Sequence, residues 1–185
     1  PSMESSPVHG VVTPPYMEVS VVNQIVKMNR EECIKLVEES YFGNVVRGDI
    51  DAVLDCFTEN AKVTIRHGDR PVRRFSHSAT DGDCALRDFY QHLCGNYVSW
   101  FGEFEHYIDT TASRSACTFT VKLDPRQSSP YFNAGTQILQ NCNFFCYEGN
   151  RISDMTIYYS NSAEIPVGTG RITPTGYPPE NLEEP

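Results

Sequence analysis

From residue 29 to about residue 161 the apolar positions repeat first with a helical period and then with that of strands. Asn29 followed by Glu32 is a capping-box arrangement, in which the carboxylate reaches back to the cap. Behind it Cys33, Ile34, Val37, Tyr41 and Val45 recur at helical spacing. Gly48 ends this helix and Asp49 caps a short second one, with Ile50, Val53, Leu54 and Phe57 on one face. The spacing predicts a third helix from about Asp83 to Cys94, with Leu86, Phe89, Tyr90 and Leu93 inward.

Between and after the helices the period falls to two. Val63, Ile65 and His67 share one face of a strand, as do Phe104, His106 and Ile108, then Cys117, Phe119 and Val121, and finally Met155, Ile157 and Tyr159. Such alternation marks sheets with one buried face. Residues 135–147 are apolar or amide-bearing on both faces, as in a central strand, and Glu148-Gly149-Asn150 joins them to the last strand as a hairpin. Helices gathered before a meander of strands predict an α+β fold: a cone-like curved antiparallel sheet packed on three N-terminal helices. The hollow between the two layers is the expected place for a pocket. The domain is read as residues 29–161, with an arm at 1–28 and a tail at 162–185 rich in proline and glycine. The N-terminus shows no basic region followed by an apolar run, so no secretory signal is expected.

Composition narrows the partners. The net charge of -9 disfavours nucleic acid, and Arg66, Arg70, Arg73 and Arg74 read as a solvated loop. No apolar stretch approaches the ~20 residues of a membrane span. The seven cysteines match no zinc or redox spacing, and Cys142 and Cys146, on one strand face, stand about 13 Å apart, too far for a disulfide. Reduced thiols and a cytoplasmic protein are expected. No nucleotide-loop, nucleophile-elbow or metal-helix pattern is present, so no metal or other cofactor is called for.

The stretches Tyr41–Asp51 and Cys56–Val63, with the closing stretch Tyr147–Tyr159, resemble the opening and the last hairpin of SnoaL-like proteins. These belong to the NTF2-like (cystatin-like) α+β rolls and include polyketide cyclases, ketosteroid isomerases, scytalone dehydratase and bile-acid dehydratases. The resemblance implies that Tyr41 hydrogen-bonds a substrate oxygen and that His106 lies on the strand where related dehydratases carry a catalytic histidine. It also implies apolar pocket walls at Cys117, Phe119, Val121, Met155 and Tyr159. The isomerases' second oxyanion donor falls near Cys142, flanked by Asn141 and Asn143. Ile65 stands where the ketosteroid isomerases carry their basic aspartate, and Val46 where the bile-acid dehydratases carry one. The resemblance therefore argues against a carboxylate-base isomerase.

The candidate chemistry is then His106 as general acid/base, Tyr41 as the donor to a developing oxyanion, and His67 or Asn141 assisting. The remaining expected pocket walls are Phe57, Phe89 and Tyr90 from the helices and Ile65, Phe104, Ile108 and Ile157 from the strands. Trp100, with Phe101, is expected to close one end or sit at a dimer face. Two readings stay open. One is a cofactor-free isomerase, cyclase or dehydratase acting on a hydrophobic oxygenated molecule such as a polyketide, steroid-like or terpenoid compound. The other is a non-catalytic binding or dimerisation module. Either allows a homodimer, for which Tyr131, Phe132, Phe145, Tyr147 and Tyr158 offer an aromatic surface.

Overall fold

A computed structural model describes residues 27–67, 70–79 and 82–160. The expected arm, but for residues 27 and 28, and the whole of the expected tail lie outside the described residues. Asn29 opens the first helical arm as its sequence dictates: its side chain accepts from the Glu32 backbone N–H, and the Glu32 carboxylate accepts from the Asn29 N–H. The arm runs through α1 (Arg30–Lys35), a π-helical segment (Leu36–Phe42) and α2 (Gly43–Arg47). Inside the π segment the N–H of Gly43 reaches back five residues to the Glu38 carbonyl. This wider turn changes the register of the faces, so the neighbours Tyr41 and Phe42 are both buried. Gly48 ends the arm at φ 71°, a conformation that costs glycine least, and Asp49 caps α3 (Ile50–Asp55) by accepting from the Ala52 N–H.

Seven strands form one sheet: β1 (Phe57–His67), β2 (Arg73–Ser76), β3 (Cys84–Ala85), β4 (Tyr97–Asp109), β5 (Arg114–Pro125), β6 (Gln137–Glu148) and β7 (Arg151–Tyr159). Their order across the sheet is β3-β2-β1-β7-β6-β5-β4, and α4 (Leu86–Asn96) precedes β4 in the chain. The meander β4 to β7 is antiparallel as expected, but β1 runs parallel to β7 and β2 parallel to β3. The sheet is therefore mixed.

Several boundaries differ from the sequence reading. Phe57 opens β1 instead of extending the second helix, because the Cys56 carbonyl accepts from Ile152 of β7 and sheet pairing begins there. Arg73 and Arg74 belong to β2 instead of a loop, paired with Ile65 and Thr64. The third helix starts at Leu86 because Cys84 and Ala85 pair with β2.

The core lies between the helices and one face of the sheet. β6 faces it with Leu139, Asn141, Asn143, Phe145 and Tyr147, and the opposite face carries Ile138, Phe144 and Tyr158. Phe145 and Tyr147 are thus core residues, which removes them from the aromatic surface expected for a dimer. Trp100 also points outward, 49% exposed, over Gly102, so it lines no interior pocket. Phe101, its neighbour in the chain, takes the inward place.

Candidate functional site

Strand register arranges the inward polar groups into two rows. One row reads His106 on β4, Cys117 on β5, Asn143 on β6, Ile157 on β7 and Ile65 on β1. The next reads Phe119, Asn141, Tyr159 and His67. Adjacent strands lie about 4.8 Å apart. The two histidines therefore occupy opposite ends of the belt, four strands from one another, and the fold does not bring them together. His67 packs its ring against Tyr159, with centroids 5.7 Å apart.

His106 has a partner that pattern reading of the strands could not supply. Its Nε2 lies 2.8 Å from Oε1 of Glu38, which the π segment carries on the arm above. The imidazole is almost fully buried, whereas the Glu38 side chain is 36% exposed and borders a surface groove with Glu31, Ile34, Lys35 and Glu39. In the neutral imidazole a carboxylate at Nε2 places the proton on that nitrogen, and Nδ1 then carries the lone pair. Nδ1 is buried and has no hydrogen-bond partner among the described residues. Cys117 Sγ lies 3.9 Å from Nε2, but burial, reinforced by the Glu38 charge, pushes its thiol up to about 12. Cys117 is therefore a protonated core thiol and no nucleophile near neutrality.

Tyr41 stands over the middle of the belt. Its ring packs edge-on against Phe57, Tyr90 and Phe145. Its hydroxyl accepts from the Tyr90 hydroxyl at 2.9 Å, which leaves the Tyr41 proton free to donate. Burial raises both phenols well above their ordinary range, so both stay protonated. Tyr41, Asn141, Asn143 and Tyr159 border an interior cavity of about 30 Å³. Its apolar wall is made by Phe42, Phe89, Phe101, Phe119, Val121 and Ile157, among others. Such a cavity needs only about 10–15 Å³ to admit one water, so this one has room for a water or two and for no larger molecule.

The wide hollow expected from the sequence is filled by side chains. Phe42 sets its ring centroid 4.6 Å from that of Phe101, 4.7 Å from Phe119 and 5.4 Å from Phe104. Of the expected walls, Phe89, Phe119, Val121, Ile157 and Tyr159 border the cavity. Phe57, Ile65, Tyr90, Cys117 and Met155 lie in the surrounding core, and Phe104 and Ile108 pack against it. Phe42 and Glu38 went unread, and Phe101 was expected only beside Trp100, at one end of the pocket or at a dimer face. Phe101 falls out of phase with its own strand because β4 bulges between Gly102 and Glu105, and Phe42 and Glu38 depend on the π segment.

Among the described residues no group of three or more histidine, cysteine or acidic side chains is placed to hold a metal ion. No helix among them is long and apolar enough to cross a membrane.

No protein-family model matches the sequence, nor does any curated protein. Solved structures do match. A candidate polyketide cyclase from Xanthomonas campestris superposes with a TM-score of 0.55 at 21% identity, over 72% of this chain and 93% of its own. The epoxide hydrolase/cyclase-like enzyme SalBIII, of pyran-ring formation in salinomycin, gives 0.55 at 19%, over 71% and 93%. An NTF2-like protein from Burkholderia xenovorans gives 0.52 at 16%, over 72% and 92%. The chain shares the NTF2-like α+β fold of these structures.

Proposed function

We propose that this chain is a cofactor-free acid/base enzyme of the isomerase, cyclase or dehydratase kind. Its substrate is a hydrophobic oxygenated small molecule such as a polyketide, steroid-like or terpenoid compound. One observation carries the reading. Among the described residues, the buried side-chain polar atoms without a hydrogen-bond partner are His106 Nδ1, Asn141 Oδ1 and Asn143 Oδ1. All three belong to the two neighbouring inward rows on β4 and β6. Leaving such atoms unpaired costs about 1–3 kcal/mol each, and sites that receive a polar ligand tolerate that cost.

In this reading His106 Nδ1 takes a proton from carbon next to a carbonyl, and Glu38 stabilises the imidazolium that forms. The Tyr41 O–H donates to the carbonyl oxygen as negative charge develops there. His106 then returns the proton to a different carbon, which shifts a double bond, or to a departing hydroxyl, which leaves as water. The Nδ1 proton exchanges with solvent while the enol is held, and Glu38 keeps the Nε2 proton in place. The polyketide cyclase and cyclase-like names of the structural neighbours agree with this class. Entry of a substrate requires Phe42 and Phe101 to part and the cavity to extend past Cys117 to His106.

A second reading, a non-catalytic binding or dimerisation module, is favoured by the 30 Å³ cavity and by the absence of His106 from its lining. Exchange of α-protons for deuterium, followed by NMR on a panel of cyclic ketones, separates the two. The enzyme reading expects exchange that falls at least ~100-fold in His106→Ala and in Tyr41→Phe. Exchange unchanged in both variants, or none above the buffer rate in the wild type, would leave the module.

A further inference from the structure

We infer that the rim of the cavity beside Tyr159 is an anion site, formed by Arg73 with His67, that receives a carboxylate or phosphate group at one end of the substrate. That the anion belongs to a substrate rests on the catalytic reading above; the site itself does not. The sequence concentrates its positive charge here. Five of the chain's 15 lysines and arginines fall between Lys62 and Arg74, in a protein of net charge -9. The ion pairs among the described residues use none of the four arginines in this stretch.

Strand alternation divides those arginines between the two faces of the sheet. Arg74 pairs with Thr64 and Arg66 with Tyr158, on the outer face. Arg73 pairs with Ile65, whose side chain lies in the core, so Arg73 leaves its strand on the inner face. It extends the row that begins at His106 and runs through Cys117, Asn143, Ile157 and Ile65. His67 is its diagonal neighbour on β1, within reach of a long side chain, and packs its ring on Tyr159. Tyr159 borders the cavity yet stays partly exposed, so it stands where the cavity meets the surface. Burial raises its phenol, and the charge of Arg73 draws it partly back, in keeping with a guanidinium close to the hydroxyl. The inward residues of β1 and β7 around it, Val63, Ile65, His67, Met155, Ile157 and Tyr159, include no carboxylate. The two ends of the row are thus unlike: His106 has its carboxylate in Glu38, and Arg73 is a cation without one. A guanidinium presents a planar fork of N–H donors that fits two oxygens of a carboxylate or phosphate. The anion rests at the rim, outside the 30 Å³ of the cavity, so its binding needs no parting of Phe42 and Phe101.

The test compares benzoate and phenyl phosphate with benzamide, which keeps the ring and a planar head group but carries no charge. Affinity is read by calorimetry at low salt, and the Arg73 Nε–Hε and His67 ring signals by NMR. At least one anion should bind roughly tenfold or more tighter than benzamide and shift both signals, since charge-assisted hydrogen bonds are about twice as strong as neutral ones. The tighter of the two anions names the acid group. Arg73→Gln should erase the preference, and Arg74→Gln, which removes the same charge from the opposite face, should keep it. Both side chains are exposed, so both variants should fold. Equal affinities for the anions and benzamide overturn the inference, as does no binding of any of the three at millimolar concentration. So does an equal loss in Arg73→Gln and Arg74→Gln, which would mean a general attraction of anions to the hairpin without a site. Ketone exchange in the wild type without any anion preference would sink this inference and leave the catalytic reading standing. An anion preference without exchange would keep the site and sink the catalytic reading.

Discussion

The hydroxyl pair Tyr90–Tyr41 gives a stability prediction whose size follows from which partner is removed. Tyr90 is fully buried and donates to Tyr41 at 2.9 Å. Tyr41→Phe removes the acceptor and strands the Tyr90 O–H in the core, which costs about 1–3 kcal/mol. Tyr90→Phe removes the donor, and Tyr41 keeps its own proton toward the cavity, so the loss is nearer the ~0.5–1.5 kcal/mol of a typical net hydrogen bond. Tyr41→Phe with Tyr90→Phe leaves no orphan and keeps both rings, so the double variant should be more stable than the sum of the singles by about 1 kcal/mol or more. Urea unfolding reads this directly. With a slope near ~2 kcal/mol/M, Tyr41→Phe should lower the midpoint by roughly 0.5–1.5 M at unchanged slope. Both phenols are raised by burial, so the stability tied to their protonated forms is complete below about pH 10 and declines as pH climbs further. The coupling should therefore be the same at pH 6 and pH 8. Strict additivity would refute the bond itself, and a Tyr90→Phe variant less stable than Tyr41→Phe would refute its assigned direction.

Gly102 lies under the indole of Trp100, and an added Cβ would collide with Cζ2 of that ring. Gly102→Ala should swing the chain's single tryptophan toward solvent, seen as a red-shifted emission, at a stability cost of about 1–2 kcal/mol. An unshifted spectrum would mean that the ring has room the contact denies. Native-state alkylation at pH 8 followed by mass spectrometry should label the exposed Cys84 and Cys146 first and spare Cys117, whose thiol is raised to about 12. The raised thiol adds stability that is complete below its ordinary 9.0 and is lost as pH rises from there to about 12. Early labelling of Cys117 would mean that β5 opens locally.

The periodic elements were legible because each rests on local chemistry. The capping box at Asn29, the stop at Gly48 and the face Cys117–Phe119–Val121 follow from neighbours a few residues apart. The polar row of His106 and the amides of Asn141 and Asn143 was partly visible, since those residues interrupt apolar faces. What escaped depends on distant pairing or on departures from ideal periods. The parallel partner of β1 lies roughly ninety residues away, and nothing local to either strand declares it. Glu38 reads as a solvent-facing helix residue until the π segment turns it toward β4. The bulge at Gly102 to Glu105 likewise reverses the phase of β4, which is why Trp100 was placed inside and Phe101 left as its companion. The filled hollow was invisible for another reason: a pattern gives the faces of a sheet, and the ring of Phe42 decides how much space lies between them.

The closing of β1 against β7 also sets a timetable for biogenesis. On a ribosome that adds about 5–20 residues per second, β1 emerges some 5–20 seconds before the strand that will flank it. In that interval Val63 and Ile65 have no sheet face to join beyond β2, which follows within a few residues and covers one edge. The other edge stays open to any extended chain nearby. Lys62 and Arg66 on its outer side, with Arg73 and Arg74 of β2, keep positive charge along that nascent hairpin. Charge of one sign along an open edge disfavours its pairing with a second copy of the same strand.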